Sequence, residues 1–231
     1  DEAFGWCKSL SSVVIPKGVA KIGKRAFCSC DSLSSVEYGG TVKQWECVKG
    51  KFTLMFGSPL KAVRCADGEW ERPVVWVEDG VAVKCLDKDA SSVTIPSGVT
   101  KIGENAFANC KSLLSVVIPD GVSIIDKDAF ENCTSLSEIV LPEGVRTIGF
   151  VAFSNCTSLS EIVLPESVSI IDYFAFKDCT SLSKITFGGT MEQWAAVQKG
   201  EYSGWGWHPG VPATVVHCSD GDADLDKAQN P

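Results

Sequence analysis

The sequence predicts a β-rich solenoid, because one pattern of residues recurs every 23 positions along most of the chain. Cysteines keep this step at Cys110, Cys133, Cys156 and Cys179, and also at Cys7 and Cys30. The prolines after the apolar runs and the Ala-Phe pairs of the second half keep the same step. A constant period of this length is typical of a repeat array, in which each unit forms one coil and neighbouring coils share a core.

Each unit is predicted to contain a short strand, a turn and a compact return segment. Residues 137–141 are predicted to form a strand of about five residues. Alternation places Ile139 and Leu141 on one face of this strand, and Glu138 and Val140 on the outer face. Pro142 and Gly144 then stand at the second and fourth positions of a predicted type I turn. The apolar residues of 145–159 lie three or four apart, which predicts a short extended piece followed by one helical or 3₁₀ turn.

Stacking of these coils predicts one continuous parallel sheet along a side of the array. A coil of this size cannot bury its own Ile, Phe, Cys and Leu side chains, so neighbouring coils must supply the core. The strands of adjacent coils then pair in parallel at a spacing of roughly 4.8 Å.

The array divides into two blocks, because residues 13–36 match residues 93–116 at an offset of 80. A Gly-Gly-Thr-x-x-Gln-Trp segment follows each block. In these segments Thr41 and Thr190 have capping-box spacing to a glutamine, which predicts a short helix whose Trp covers the last coil. Between the blocks, two apolar runs flank an Asp-Gly pair and predict a hairpin.

These features give the predicted boundaries of the chain. Ala3-Phe4 occupies the Ala-Phe position of a unit, so the first block is expected to be truncated at its N-terminus. The segments are 1–38 for the first block, 39–69 for the first cap, 70–91 for the hairpin lead-in, 92–187 for the second block with four units, 188–218 for the second cap and 219–231 for an acidic tail.

Composition and charge exclude several classes of function. The net charge of −8, with 21 Lys and Arg against 29 Asp and Glu, argues against binding to nucleic acid, which needs clustered positive charge. No run approaches the roughly 18 apolar residues of a membrane helix, so no membrane insertion by this segment is expected. The two histidines, His208 and His217, lie outside the repeats. Because no nucleophile, base and acid can be assembled, the chain is not expected to be an enzyme.

The eleven cysteines are interpreted as a ladder and not as a disulfide framework, because six of them share one inward repeat position. A disulfide between Cys65 and Cys85 stays open as an alternative. Zinc is disfavoured because there is no Cys-x-x-Cys pair. The segment from Asp220 to Asp226 begins with the spacing of a calcium loop, but Leu225 stands where the loop needs Gly. Calcium is therefore disfavoured, a solvated acidic tail is expected, and no cofactor is predicted.

The repeat Ile/Leu-Pro-x-Gly-Val-x-x-Ile-Gly/Asp-x-x-Ala-Phe-x-x-Cys-x-Ser-Leu-x-x-Ile/Val resembles the BspA-type leucine-rich repeat proteins of bacterial and protist cell surfaces. The resemblance covers roughly residues 1–36 and 93–187, and the Gly-Thr-x-x-Gln-Trp segments are similar to the ends of arrays in that family. It implies a right-handed leucine-rich repeat superhelix with a parallel concave sheet, short helical or 3₁₀ turns and Trp-containing caps. It also implies a secreted or surface-held chain used in adhesion or host contact, although fold alone does not identify a ligand.

The outward strand positions of the second block are the first candidate for a binding face. Alternation within the strands assigns to it Thr94, Ser115, Val117, Glu138, Val140, Glu161, Val163, Lys184 and Thr186. The three aligned valines predict an apolar stripe beside a glutamate edge, which is typical of a protein-contact surface. The alternative is that Val simply favours strands.

The second candidate is a loop with Tyr202, Trp205 and Trp207, where the second cap is longer than the first. These side chains could contact a protein or a sugar, or they could pack on the end of the solenoid. The sequence therefore predicts a non-catalytic extracellular or cell-surface interaction module with a protein partner. A structural spacer without a ligand of its own is the alternative, and the identity of residues 133–143 and 156–166 weakens the case for a tuned site.

Overall fold

The computed structural model describes residues 2–55, 57–200 and 208–225 of the chain. The chain divides into two compact units, Asp1–Pro73 and Val74–Pro231. Both are built mainly from parallel strands of successive coils, as a solenoid requires. Within the described ranges, no helix is long and apolar enough to cross a membrane.

The first unit contains one four-stranded sheet and two short helical segments. Its elements are β1 (Ser12–Ile15), β2 (Ser35–Tyr38), helix α1 (Val42–Glu46), a 3₁₀ helix (Lys51–Met55), β3 (Ala62–Cys65) and β4 (Gly68–Glu71). The sheet order is β1-β2-β3-β4, with parallel pairing up to β3 and an antiparallel return by β4. Val13 pairs with Val36, so the register of the first pair equals the 23-residue period.

The second unit begins with the predicted hairpin, which consists of β5 (Val75–Glu78) and β6 (Val81–Cys85). The strands turn at Asp79 and Gly80, whose φ angles are 49° and 75°. Positive φ at both central residues is what a type I′ turn requires, and Asp-Gly is a favoured pair for it. The hairpin prediction is confirmed.

Each coil of the second unit contributes one repeat strand. These strands are β7 (Ser92–Thr94), β9 (Ser115–Val117), β11 (Glu138–Val140), β13 (Glu161–Leu164) and β15 (Lys184–Phe187). The first three form one parallel sheet, whereas β13 and β15 belong to a second sheet that continues into β17 (Val215–Cys218) and β18 (Gly221–Asp224). The prediction that the repeat strands form a single continuous sheet is therefore wrong. Strands of three residues make few interstrand hydrogen bonds, so a small shift of one strand interrupts the hydrogen bonding of the sheet. The core is continuous across this interruption, because Ile139 and Ile162 on either side of it are buried.

The return segments form another parallel sheet, which the sequence did not predict. Its strands are β8 (Lys101–Ile102), β10 (Ile124–Ile125), β12 (Thr147–Ile148) and β14 (Ile170–Ile171), with the hairpin at one edge and β16 (Gln198–Lys199) at the other. The second residue of β8, β10, β12 and β14 is a fully buried Ile. The predicted extended piece is thus a true strand, but two residues are too few for alternation to reveal it.

Beyond each short strand the backbone makes consecutive turns with hydrogen bonds of the 3₁₀ type, such as Cys110 N to Phe107 O at 3.0 Å. The turns do not join into one helix, because two residues of each unit have a left-handed backbone. These residues are Asn105, Asn109, Asp128, Asn132, Val151, Asn155, Phe174 and Asp178.

Stacked side chains fill the core between the two faces of each coil. The Phe107, Phe130, Phe153 and Phe176 rings stack with centroids 5.0 to 5.2 Å apart and planes within 11° of parallel. All four rings are fully buried. Each coil therefore depends on its neighbours for burial of its largest apolar side chain.

The cysteine ladder is present, with one exception. Cys30, Cys110, Cys133, Cys156 and Cys179 are buried, but Cys7 is exposed, since it is the first rung and no described residues cover its outer side. The Cys133, Cys156 and Cys179 thiols donate to phenylalanine carbonyls at 3.1 to 3.3 Å. Burial raises the pKa of Cys133 to about 12. All eleven cysteines are free thiols, including Cys65 and Cys85, for which the sequence left a disulfide open.

Both caps have the predicted helix and a buried Trp. Thr190 begins helix α2 (Met191–Ala196), and its hydroxyl accepts from Gln193 N while its own N–H donates to the Gln193 side chain. Thr41 and Gln44 make the same reciprocal pair at α1. Trp45 and Trp194 are fully buried against the preceding coil, so each helix closes the core of its own unit.

The acidic segment after the second cap is not the solvated tail that the sequence predicts. Its first residues form β18, which pairs antiparallel with β17, and Leu225 is buried. Asp220 accepts from the Met191 N–H at 2.8 Å and so caps α2. The carboxylates alternate with Ala223 and Leu225, so the strand has one polar and one apolar face. The remainder of the predicted tail, residues 226–231, lies outside the described residues.

Candidate interaction surface

The outward positions of the repeat strands are in register within each of the two sheets, on either side of the interruption between β11 and β13. Val117 pairs with Thr94 on one side and with Val140 on the other, and Val163 pairs with Thr186. Parallel pairing without a shift places equivalent side chains directly beside one another. The structure thus brings Thr94, Val117 and Val140 together in the first sheet, and Val163 and Thr186 together in the second.

The three valines of this row are exposed to a degree that is unusual for apolar residues in strands. Val117, Val140 and Val163 retain 57%, 67% and 46% of their surface. Their neighbours in the sequence, such as Ile139, point into the core and are buried. We call these three residues the valine stripe.

A shallow groove of about 330 Å³ lies over the first part of the valine stripe. It is lined by Ser115–Ile118 of one coil and by Glu138–Val140 of the next, with Asp120 and Pro142 at the turns. An apolar floor with one acidic side suits contact with a protein side chain better than capture of a small polar molecule.

The charged border of the stripe is mixed, because a lysine lies beside one of its two glutamates. Lys184 Nζ lies 2.5 Å from Glu161 Oε1, so this carboxylate is paired within the surface. Both side chains are about half exposed, and such a pair contributes little to stability. Glu138 pairs with Ser115 of the preceding coil in the register. The glutamate position of the repeat is therefore a serine in that coil.

The structure extends the row by two residues that the sequence reading missed. Thr186 pairs with His217 of β17, and His217 pairs with Asp222 of β18. His217 Nδ1 lies 2.8 Å from Asp222 Oδ1. His217 lies in the predicted second cap, 188–218, and Asp222 lies in the segment that the sequence predicts to be an acidic tail, so the alternation of the repeat strands assigned neither residue to the row.

The first unit has its own outward row, which was also missed. Val14, at the position of Thr94 in the 80-residue offset, is 73% exposed and pairs with Glu37, which pairs in turn with Arg64. The Arg64 guanidinium lies 2.9 Å from the Glu37 carboxylate. Only one apolar side chain lies in this row, so it has no stripe comparable to that of the second unit.

Two further questions raised by the sequence concern the aromatic loop of the second cap and metal binding. The loop with Tyr202, Trp205 and Trp207 lies outside the described residues. In the part of the chain that the structure describes, no group of three or more His, Cys, Asp or Glu side chains is arranged to hold a metal ion.

The stacked coils, in-register parallel strands and buried Leu, Phe and Cys positions define a leucine-rich repeat solenoid. The family described as BspA type leucine-rich repeat region matches in six copies, over residues 1–47 and 85–196. The chain belongs to this family.

Solved structures give further comparisons. A T. pallidum leucine-rich repeat protein (TpLRR) is 36% identical, with 46% of this chain and 51% of that chain covered and a TM-score of 0.45. A leucine-rich cell surface protein from Faecalibacterium prausnitzii is 24% identical over 82% of this chain and 51% of that chain, with a TM-score of 0.48. The pneumococcal vaccine antigen PcpA is 18% identical over 82% and 53%, with a TM-score of 0.53, and supports the fold alone.

The chain spans about half the length of these three structures. A comparison with curated proteins finds no match.

Proposed function

We propose that the chain is a non-catalytic interaction module, and that the valine stripe is the surface that contacts a protein partner. The observation that carries this proposal is the exposure of three valines at the equivalent outward position of successive repeat strands, of which Val117 and Val140 are paired in the register. Outward positions of a sheet with one face in the core are normally polar. A row of apolar residues there costs solubility, and contact with a partner would offset that cost.

The surroundings of the stripe indicate the chemistry of the partner. The floor is apolar, Glu138 is on its border, and the chain as a whole has a net charge of −8. A partner protein with an apolar patch beside a basic side chain is complementary to this arrangement. Membership of the family supports a secreted or cell-surface location, where such a partner would be a surface protein of a host or a neighbouring cell.

A non-catalytic role is supported by the chemistry of the described surface. The groove over the stripe contains carboxylates but no histidine, cysteine or lysine among its lining residues. General acid–base or nucleophilic catalysis needs such groups within hydrogen-bond reach of each other.

The second candidate function is a structural spacer, and one observation favours it. Residues 133–143 and 156–166 are identical, so Val140 and Val163 could reflect a duplication and not selection for binding. A spacer needs only the buried half of each repeat, and its outward residues could be replaced freely.

Photo-crosslinking distinguishes a binder from a spacer. A benzophenone amino acid replaces Val140 in one variant and Ile170 in a control, because Ile170 is also exposed (38%) but lies in the sheet of short strands. Both variants are irradiated on intact cultured animal cells, since the resemblance implies host contact. The proposal expects a discrete protein adduct from position 140 and none from position 170. Equal labelling, or no adduct from position 140, would support the spacer.

A further inference from the structure

The first complete coil of the second unit contains a cluster that differs from every other rung of the cysteine ladder. Cys85, at the end of the hairpin, is joined to the next coil by a hydrogen bond from its N–H to the Ala106 carbonyl, and its sulfur is a neighbour of the Cys110 sulfur. Lys88 Nζ lies 3.3 Å from the same Cys110 sulfur and donates to the Ala108 carbonyl at 2.5 Å. Two thiols and an ammonium group thus meet at one point of the core.

Among the described residues, no lysine hydrogen-bonds with the sulfur of another buried rung. Cys133, Cys156 and Cys179 donate their thiol protons to backbone carbonyls of phenylalanines in the preceding coil. Cys110 instead accepts a hydrogen bond from Lys88, and Cys85 donates to the Asp87 carbonyl at 3.1 Å. A sulfur that accepts from a cation is stabilised as the thiolate, which is the nucleophilic form of cysteine.

The electrostatics agree with this geometry. Contact with Cys85 and the nearby Lys88 charge lower the pKa of Cys110, against the opposing effect of burial. Contact with Cys110 and burial raise the pKa of Cys85. Of the two thiols, Cys110 therefore loses its proton more readily.

We propose that Cys110 and Cys85 are a site of reversible oxidation, in which a hydroperoxide converts the two thiols into a disulfide. The Cys110 thiolate attacks one peroxide oxygen, the O–O bond breaks, and the leaving oxygen takes a proton and departs as water or an alcohol. Cys85 then attacks the sulfenic sulfur of Cys110, the S–O bond breaks, and the hydroxyl leaves as water with the proton of the Cys85 thiol. Two electrons pass from the sulfurs to the hydroperoxide.

The position of the pair explains the choice of oxidant and the consequence of the reaction. Both cysteines are about 1% exposed, so a small hydroperoxide is favoured over a bulky disulfide. Lys88 is half-buried, and its side chain links the sulfur to the surface. The new bond would join the β5–β6 hairpin to the first coil, and it would tie the edge of the short-strand sheet to the core.

The chain contains a matched internal control. Cys156 and Cys179 are also neighbouring rungs whose sulfurs interact, and both are buried, but each donates its thiol proton to a backbone carbonyl and accepts no hydrogen bond from a lysine of the described residues. The native protein is treated with hydrogen peroxide at pH 7, free thiols are then alkylated under denaturing conditions, and peptides are mapped without reduction. The proposal expects a Cys85–Cys110 linkage that forms at least about tenfold faster than any Cys156–Cys179 linkage. Equal rates, or no Cys85–Cys110 linkage, would overturn it.

Two variants test the separate roles of the cluster. Lys88→Met should slow the linkage at least about tenfold at pH 7, whereas Lys111→Met, at an exposed lysine next to Cys110 in the chain, should not change it. Cys85→Ser should leave a sulfenic acid on Cys110 that a cyclic 1,3-diketone traps. An unchanged rate in folded Lys88→Met, or trapping at Cys156 equal to that at Cys110, would contradict the assignment. The comparison of the two linkages in the unaltered chain does not depend on whether a variant folds.

Discussion

At the scale of single residues, Val151 stands out because its backbone conformation does not suit its side chain. Its φ angle is 59°, and the equivalent residues Asn105 and Asp128 have 57° and 56°. Asn and Asp tolerate the left-handed region, whereas a β-branched residue is strained there. The unit therefore keeps its turn geometry even where the sequence opposes it, because the hydrogen bonds to neighbouring coils determine the backbone.

This strain leads to a prediction about stability. Val151→Asn should raise the free energy of unfolding by about 1 kcal/mol, since it removes strain of the kind that costs on the order of 1–3 kcal/mol. Chemical denaturation of the two proteins measures the difference. Val163→Asn is the control, because Val163 has an extended backbone in β13 and should gain nothing. A loss of stability in Val151→Asn would show that the contacts of this half-buried Val outweigh its strain.

At the scale of elements, the caps show how much the sequence could predict. The Thr-x-x-Gln spacing predicted both helices and the burial of Trp45 and Trp194, because capping depends on side chains that are close in the sequence. The same reading missed the closing antiparallel strands, such as Gly221–Asp224. Their pairing depends on contacts with a distant strand, and their acidic composition is typical of a tail.

Trp194 provides the test of the second cap. It is fully buried and packs on Phe187 with ring centroids 5.3 Å apart. Trp194→Ala should therefore cost about 3–5 kcal/mol in the free energy of unfolding, the range for large aromatic side chains in cores. Met191→Ala on the same helix, where the side chain is 39% exposed, should cost less than about 1 kcal/mol. Equal losses in the free energy of unfolding in the two variants would show that Trp194 does not close the core.

The sheets show the other limit of prediction at this scale. The 23-residue period fixed the repeat strands and their register, as the pairing of Ile139 with Val116 shows. The period could not reveal the sheet of two-residue strands or the interruption between β11 and β13. Both features depend on hydrogen bonds between coils, and the identical sequences on either side of the interruption contain no signal for it.

At the scale of the whole molecule, core and surface residues are separated within every repeat. The Ile, Phe, Cys and Leu positions are buried and are shared between neighbouring coils, while the outward strand positions make no contribution to the core. The candidate surface was predicted for this reason, since alternation assigns each residue to one face. His217 and Asp222 were not predicted, because they enter the row only through the closing hairpin.

The separation means that the surface can be altered without loss of the fold. Val140→Lys combined with Val163→Lys removes two of the three valines of the stripe and inserts charge, but it leaves the stacked Phe and Cys residues untouched. Surface substitutions of this kind rarely change stability by more than about 0.5 kcal/mol. The midpoint of thermal unfolding should therefore stay within about 2 °C of that of the unaltered chain.

The most direct test of the valine stripe is the affinity of this double variant for the protein captured at position 140, measured by surface plasmon resonance beside its thermal unfolding. We expect affinity to fall at least about tenfold at an unchanged unfolding midpoint, because two buried contacts are replaced by desolvated charges. Ile170→Lys, on the sheet of short strands, should bind as the unaltered chain does. Undiminished affinity of the folded double variant would contradict the proposal that the valine stripe is the contact surface.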